Sequence, residues 1–161
     1  MVRATICFLI AESPRRVLLG LKKRGFGEGK YNGFGGKLAD GEDVRAAAVR
    51  EVREECGLEV SPADLVPAGR LTFFFPFRPE FDHDVHIFRV HAWRGEPRES
   101  EEMRPKWFPV GEIPYDRMWQ DDGHWLPAVL EGEVVEGEFT FAADNETIAR
   151  FSLRPLRSEP S

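Results

Sequence analysis

Between Gly36 and Leu58 the chain reads Gly-x5-Glu-x7-Arg-Glu-Val-x-Glu-Glu-x-Gly-Leu. With about 100° per helical residue, Ala47, Ala48, Glu51 and Glu55 fall within about 60° of Val44, and Glu54 about 80° from it. Three carboxylates therefore continue a stripe of small apolar residues, with like charges three and four positions apart repelling along it. A hard divalent cation with oxygen ligands would remove that repulsion and leave coordination positions for phosphate oxygens and water. A solvated acidic helix is the competing reading. Overlap of the glutamates with the alanine stripe counts against it.

The local punctuation predicts the helix that carries these groups. Asp40-Gly41-Glu42-Asp43 supplies acidic groups for its first turn and Gly57 a C-terminal stop, so the helix is expected over Asp43 to Cys56. Arg50 is expected to be structural, pairing with Glu42. Ahead of the helix, Gly25-Phe26-Gly27-Glu28-Gly29 and Gly33-Phe34-Gly35-Gly36-Lys37 match neither G-x-G-x-x-G nor the P-loop pattern. Such glycines permit close backbone approach: the Gly35 carbonyl could reach a metal while neighbouring amides face phosphate oxygens. A plain flexible turn is the alternative.

At 161 residues with 42% hydrophobic content, the chain suits one compact α+β domain, expected over 1–155, with a loose tail over 156–161. A net charge of −6 argues against a duplex nucleic-acid partner. Cys7 and Cys56 have no zinc or disulfide spacing and are expected as reduced thiols. The apolar stretch Ile6–Ala11 is too short to span a membrane and lacks a signal-peptide pattern, so a cytoplasmic location is expected. Strands are predicted at Ala4–Ile10, Val17–Lys23, Gly69–Phe75, Val85–Trp93 and Trp107–Val110. A second helix is predicted over Asp121–Glu131, and a closing hairpin from Val134–Ala142 with Thr147–Leu153. His83 and His86, an odd number of strand positions apart, are expected on opposite faces and not as a metal pair.

The Gly36–Leu58 pattern resembles the Nudix box at every defining position, which implies an α/β/α sandwich with a mixed β-sheet. The stretches Val17–Gly27, Asn32–Lys37, Glu101–Pro105 and Met118–Asp122 are similar to the MutT-homologue enzymes of that family, the oxidised-purine nucleoside triphosphate diphosphatases. By position, the resemblance implies that Glu51, Glu54, Glu55, Glu102 and the Gly35 carbonyl bind metal, Mg2+ with Mn2+ as a substitute, and that the glutamates are catalytic. Glu55 or Glu102 is then the preferred base for the attacking water. It further implies that Lys22 contacts substrate and that Asn32, Trp119, Asp121 and Asp122 form the nucleobase site, with Phe26 and Phe73 as apolar pocket positions. Phe34, Gly35, Gly36 and Lys37 complete the substrate-binding set.

Other roles stay open for several of these residues. On its residues alone, Glu102 reads as one of an acidic surface run, Lys22 as an outward cation, and Trp119 to Asp122 as a helix start with a capping Asp. Two carboxyls on one neutral base require a proton on one of them, so Asp121 or Asp122 is expected to have a raised pKa. Cys7 is expected where the family carries a pocket threonine, Tyr31 in place of a tryptophan, and His83 in place of a pocket methionine. The activity implied is hydrolysis of oxidised purine nucleoside triphosphates, such as 8-oxo-dGTP and 2-hydroxy-dATP, to the monophosphate and pyrophosphate by a monomer. The alternatives are a Nudix hydrolase of other nucleoside diphosphate derivatives and a non-catalytic nucleotide-binding module.

Overall fold

A computed structural model describes residues 1–156. The elements are β1 (Val2–Ala11), β2 (Arg16–Lys22), β3 (Tyr31–Asn32), α1 (Val44–Cys56), β4 (Leu65–Phe74), β5 (His83–Val90), β6 (Met103–Pro109), α2 (Asp122–Leu130), β7 (Val134–Phe141) and β8 (Ile148–Leu156). The expected tail lies outside the described residues, apart from Leu156 at the end of β8.

The strands form one mixed sheet in the order β3-β2-β1-β5-β4-β7-β8, with β6 on the other edge of β2. The β1–β5 and β4–β7 pairs are parallel and the rest antiparallel. Strand alternation divides the apolar residues between two faces. Cys7, Leu9, Leu18, Phe88 and Val90 pack with Ala48, Val52 and Cys56 of α1. Phe8, Ile10, Val17, Leu19 and Ile87 pack with Trp125, Leu126, Val129 and Leu130 of α2. A helix on each face of a mixed sheet is the expected sandwich.

Both ends of α1 are chemically specified. The Asp43 carboxylate accepts from the Ala46 N–H at 2.7 Å, and Gly57, at φ 77°, donates its N–H to the Arg53 carbonyl at 2.9 Å. The C-terminus of α2 is held by buried Arg89, which donates to the Val129 carbonyl at 3.2 Å and the Glu133 carbonyl at 2.8 Å. Arg15 adds a hydrogen bond to Leu130 O.

The feature that builds the site is a split in the sheet. β1 stays paired with β2 only over Leu9–Ala11, and the segment after β3 fills the gap. There Phe34 exchanges hydrogen bonds with Cys7, and Thr5 N–H donates to the Gly36 carbonyl at 2.9 Å. Gly35 lies so close to β1 that a Cβ on it would stand 1.9 Å from the Thr5 carbonyl oxygen, which only glycine avoids.

Several boundaries differ from expectation. β4 begins at Leu65, because Pro67 and Gly69 make a bulge within the strand and do not end it. β6 begins at Met103, four residues earlier than predicted, its start hidden behind the acidic run Glu99–Glu102 and Pro105. His83 and His86 do face opposite sides of β5, whose inward positions alternate between the two cores.

Candidate active site

The C-terminal half of α1 lies over the split, so its glutamates meet the Gly33–Lys37 segment. Glu55 is buried, and its Oε1 accepts from the Gly35 N–H at 2.8 Å. Burial, reinforced by the nearby Glu51 and Glu102 charges, pushes its carboxyl up to about 8 despite the Gly35 amide and Lys22. Glu51 is mostly covered, with 16% of its side chain exposed, and burial raises its pKa as well. A Cβ on Gly36 would come within 2.7–2.8 Å of the Glu51 carboxylate. The glycine therefore leaves the glutamate its place.

Arg50 organises this end. Its guanidinium donates to Glu42 at 2.8 and 2.9 Å, to Glu51 at 2.8 Å, to Glu54 at 3.1 Å and to the Lys37 carbonyl at 3.1 Å. This matches its expected structural role and its expected partner, and it holds the Glu42 carboxyl down to about 2. Glu54 sits at the rim with 56% of its side chain exposed. Glu102 comes in from the loop before β6, where Lys22 donates to Oε2 at 3.0 Å and Arg24 to Oε1 at 3.2 Å. The Lys22 hydrogen bond lowers the Glu102 pKa, so this carboxylate stays ionised.

Among the described residues, no three His, Cys, Asp or Glu side chains converge into a closed metal cage. Glu51 and Glu54 are turned to Arg50, Glu102 to Lys22 and Arg24. The donor chemistry nonetheless fits a hard divalent ion: every group is an oxygen, and Glu55 is a buried carboxyl whose charge lacks a full counter-charge.

From Glu55 a cleft of about 420 Å3 runs over the end of the sheet on the α2 side. Its lining joins Lys22, Gly35, Gly36, Lys37 and Glu55 at one end to Asn32, Phe26, Phe73, Trp119, Asp121 and Asp122 at the other. Asp121 and Asp122 are both buried; Asp121 Oδ2 accepts from Trp125 Nε1 at 2.8 Å, while Asp122 Oδ2 has no partner among the described residues. Burial pushes Asp121 up to about 6, and burial plus the Asp121 charge pushes Asp122 well above the usual carboxylate range. Asp121 stands at the N-cap position of α2 but makes no side-chain capping bond, so the capping alternative fails. Trp119 lies under Phe26 at 5.0 Å between ring centroids, with Lys30 Nζ 5.2 Å from its ring.

Two placements depart from expectation. Phe34 is fully buried beneath α1 and does not line the cleft, because its hydrogen bonds with Cys7 turn the ring toward the helix-side core. Cys7 is likewise sealed in that core. The threonine at the cleft is Thr5, one alternation nearer the site end of β1. Sequence reasoning also missed Lys30, Phe75, Phe81 and Phe141 as lining residues. Phe75 and Phe141 read as ordinary strand core, and Phe81 sits in a loop whose position only tertiary structure reveals.

A family model described as a NUDIX domain matches residues 1–129. The oxidized purine nucleoside triphosphate hydrolase of Mus musculus is 48% identical over 145 residues, covering 90% of each chain. The Danio rerio protein of the same name is 47% identical over 136 residues, covering 84% of this chain and 85% of its own. The crystal structure of the mutator MutT protein from Bacillus halodurans shares the fold with a TM-score of 0.79 at 22% identity, covering 95% of this chain and 97% of that one.

Proposed function

The chain belongs to the Nudix family, and from that premise we propose that it hydrolyses oxidised purine nucleoside triphosphates, of the 8-oxo-dGTP and 2-hydroxy-dATP type, to the monophosphate and pyrophosphate. The observation that carries this reading is the continuity of the cleft, which links a buried glutamate and a glycine-rich backbone to a tryptophan and a buried carboxyl pair. The names of the mouse and zebrafish relatives support the same substrate class. By cleaving damaged precursors, the enzyme would clear them from the nucleotide pool. We assign it to the cytoplasm as a monomer without a nucleic-acid partner, in keeping with its net charge of −6.

Glu51, Glu54, Glu55, Glu102 and the Gly35 carbonyl are the groups proposed to hold divalent cations, Mg2+ with Mn2+ as a substitute. When bound, such ions neutralise the charge developing on the phosphates and orient water. The protein's own groups then divide the work. Lys22 and the amides of Gly36 and Lys37 face the phosphate chain, and Trp119 offers a ring to the base. Asn32 supplies an amide donor and acceptor, and the Asp121–Asp122 pair with one proton supplies both again.

Of the two glutamates weighed as base, Glu55 is favoured. It lines the cleft and accepts from a neutral amide, the Gly35 N–H, whereas Glu102 is tied to two cations and its pKa is lowered. Water attacks one phosphorus of the anhydride linking the monophosphate to the pyrophosphate, its proton passes to a Glu55 oxygen, and the bridging P–O bond to that phosphorus breaks, the oxygen leaving with the other phosphoryl group. Steady-state pyrophosphate release with Mg2+, comparing 8-oxo-dGTP, 2-hydroxy-dATP and dGTP, tests this directly. We expect a strong preference for an oxidised base and loss of turnover in Glu55→Gln. Equal turnover of all three would leave a Nudix hydrolase of low base selectivity.

A further inference from the structure

The aromatic wall of the cleft carries one polar edge. His83 on β5 pairs with Phe73 on β4, and its ring stacks on Phe73 at 5.0 Å and 22° and on Phe75 at 5.9 Å and 14°. Its Nδ1 lies 2.7 Å from the Phe81 carbonyl oxygen. A carbonyl can only accept, so Nδ1 carries the proton and Nε2 the lone pair. Nε2 has no partner among the described residues and, unlike the sealed Nε2 of His86, it is not buried away from solvent. The half-buried ring is part of the cleft lining.

This acceptor differs in kind from its neighbours. Asp121 and Asp122 can exchange an acceptor for a donor by taking up a proton, and the Asn32 amide holds both. His83 is fixed by its stack and by the commitment of Nδ1–H to Phe81, and burial lowers its affinity for a second proton. The chemistry of purine damage makes a fixed acceptor informative. Guanine presents a bare N7 lone pair, whereas 8-oxoguanine carries a hydrogen on N7 and presents a donor. An unprotonated ring nitrogen attracts the second base and repels the first.

We propose that His83 is a specificity-determining residue whose Nε2 accepts a hydrogen bond from the N7–H of an 8-oxopurine. The proposal rests on the reading of this cleft as an oxidised-purine site. His83→Phe keeps the aromatic stack and removes the acceptor. The ratio of kcat/KM for 8-oxo-dGTP to that for dGTP is expected to fall about tenfold, the equivalent of one hydrogen bond. An unchanged ratio in a variant that melts cooperatively, beside a wild type that still prefers 8-oxo-dGTP, overturns the role of His83 alone. A wild type without any such preference overturns the parent reading and this one with it. A readout on the unaltered protein covers the case of a misfolded variant: the 15N resonance of His83 Nε2 should move on adding 8-oxo-dGMP and stay in place with dGMP. No movement with 8-oxo-dGMP also overturns the proposal.

Discussion

Asp121 and Asp122 adjoin each other out of water, and the protein holds only part of their hydrogen-bonding capacity. Left with a buried oxygen that no described residue satisfies, the pair is costly to the free protein and useful to a ligand that brings the missing donor. A proton on one of the two would also let the pair answer two different base edges, whereas a fixed amide answers one. Substitution should separate these contributions. Asp121→Asn keeps an acceptor for Trp125 Nε1, so it is expected to fold normally while lowering the 8-oxo-dGTP to dGTP preference about tenfold. Asn32→Ala should reduce the same ratio to a similar degree. Asp121→Ala strands the buried indole N–H and is expected to cost about 1–3 kcal/mol of stability as well. Kinetics on the three variants beside urea melts would distinguish them; an unaltered base preference in both Asp121→Asn and Asn32→Ala would remove these residues from the base site.

The Gly33–Lys37 segment does at the element level what no single side chain does: it joins β1 to α1 and presents backbone to the cleft. Its two adjacent glycines meet different obstacles. At Gly35 a methyl group would strike the Thr5 backbone, which cannot yield without pulling the segment off β1 and the Gly35 N–H off Glu55. At Gly36 its nearest neighbours would be the carboxylate end of Glu51, which can rotate. Gly35→Ala is therefore expected to lower stability by about 1–3 kcal/mol and abolish turnover. Gly36→Ala should melt near the wild-type temperature but require more Mg2+ for half-maximal rate. Thermal melts and Mg2+ titrations check the pair, and equal destabilisation by both would refute the distinction. The glycines themselves were legible in the sequence as sites of close approach, as were both helices and the opposite facing of His83 and His86 on β5. The two-residue β3, the bulge at Pro67 to Gly69 and the Thr5 position were not. Each depends on which distant strand lies alongside, and local periodicity carries no record of that. Phe34 shows the same limit, since its neighbours in sequence line the cleft while its own ring turns beneath α1.

The whole molecule holds its buried acids at a cost that changes with pH. Folding raises the Glu55 pKa from 4.5 to about 8, so between those values the folded chain binds more protons than the unfolded chain and stability falls as pH rises. Asp121 and Asp122 act in the same sense. His83, His86 and His91, whose pKa values burial lowers, act in the opposite sense, but their gain is complete above the ordinary histidine value of about 6.5. The lowered carboxyls Glu42, Asp84, Glu102 and Asp144 reach their full stabilising contribution by about pH 5. From about pH 6.5 to 8 the slope therefore belongs to the raised acids, Glu55 and Asp122 among them, both raised first by burial. A divalent cation bound to the ionised carboxylate offsets that cost and displaces the proton, so it should stabilise the protein more at pH 8 than at pH 6.5. Melting in EDTA is expected to shift downward across this window, and Mg2+ to raise the melting temperature most at its upper end. Glu55→Gln, uncharged throughout, should reduce both dependences, leaving the part that Asp122 contributes. Stabilisation by Mg2+ that is equal at the two pH values, or unchanged in Glu55→Gln, would take Glu55 out of the metal site.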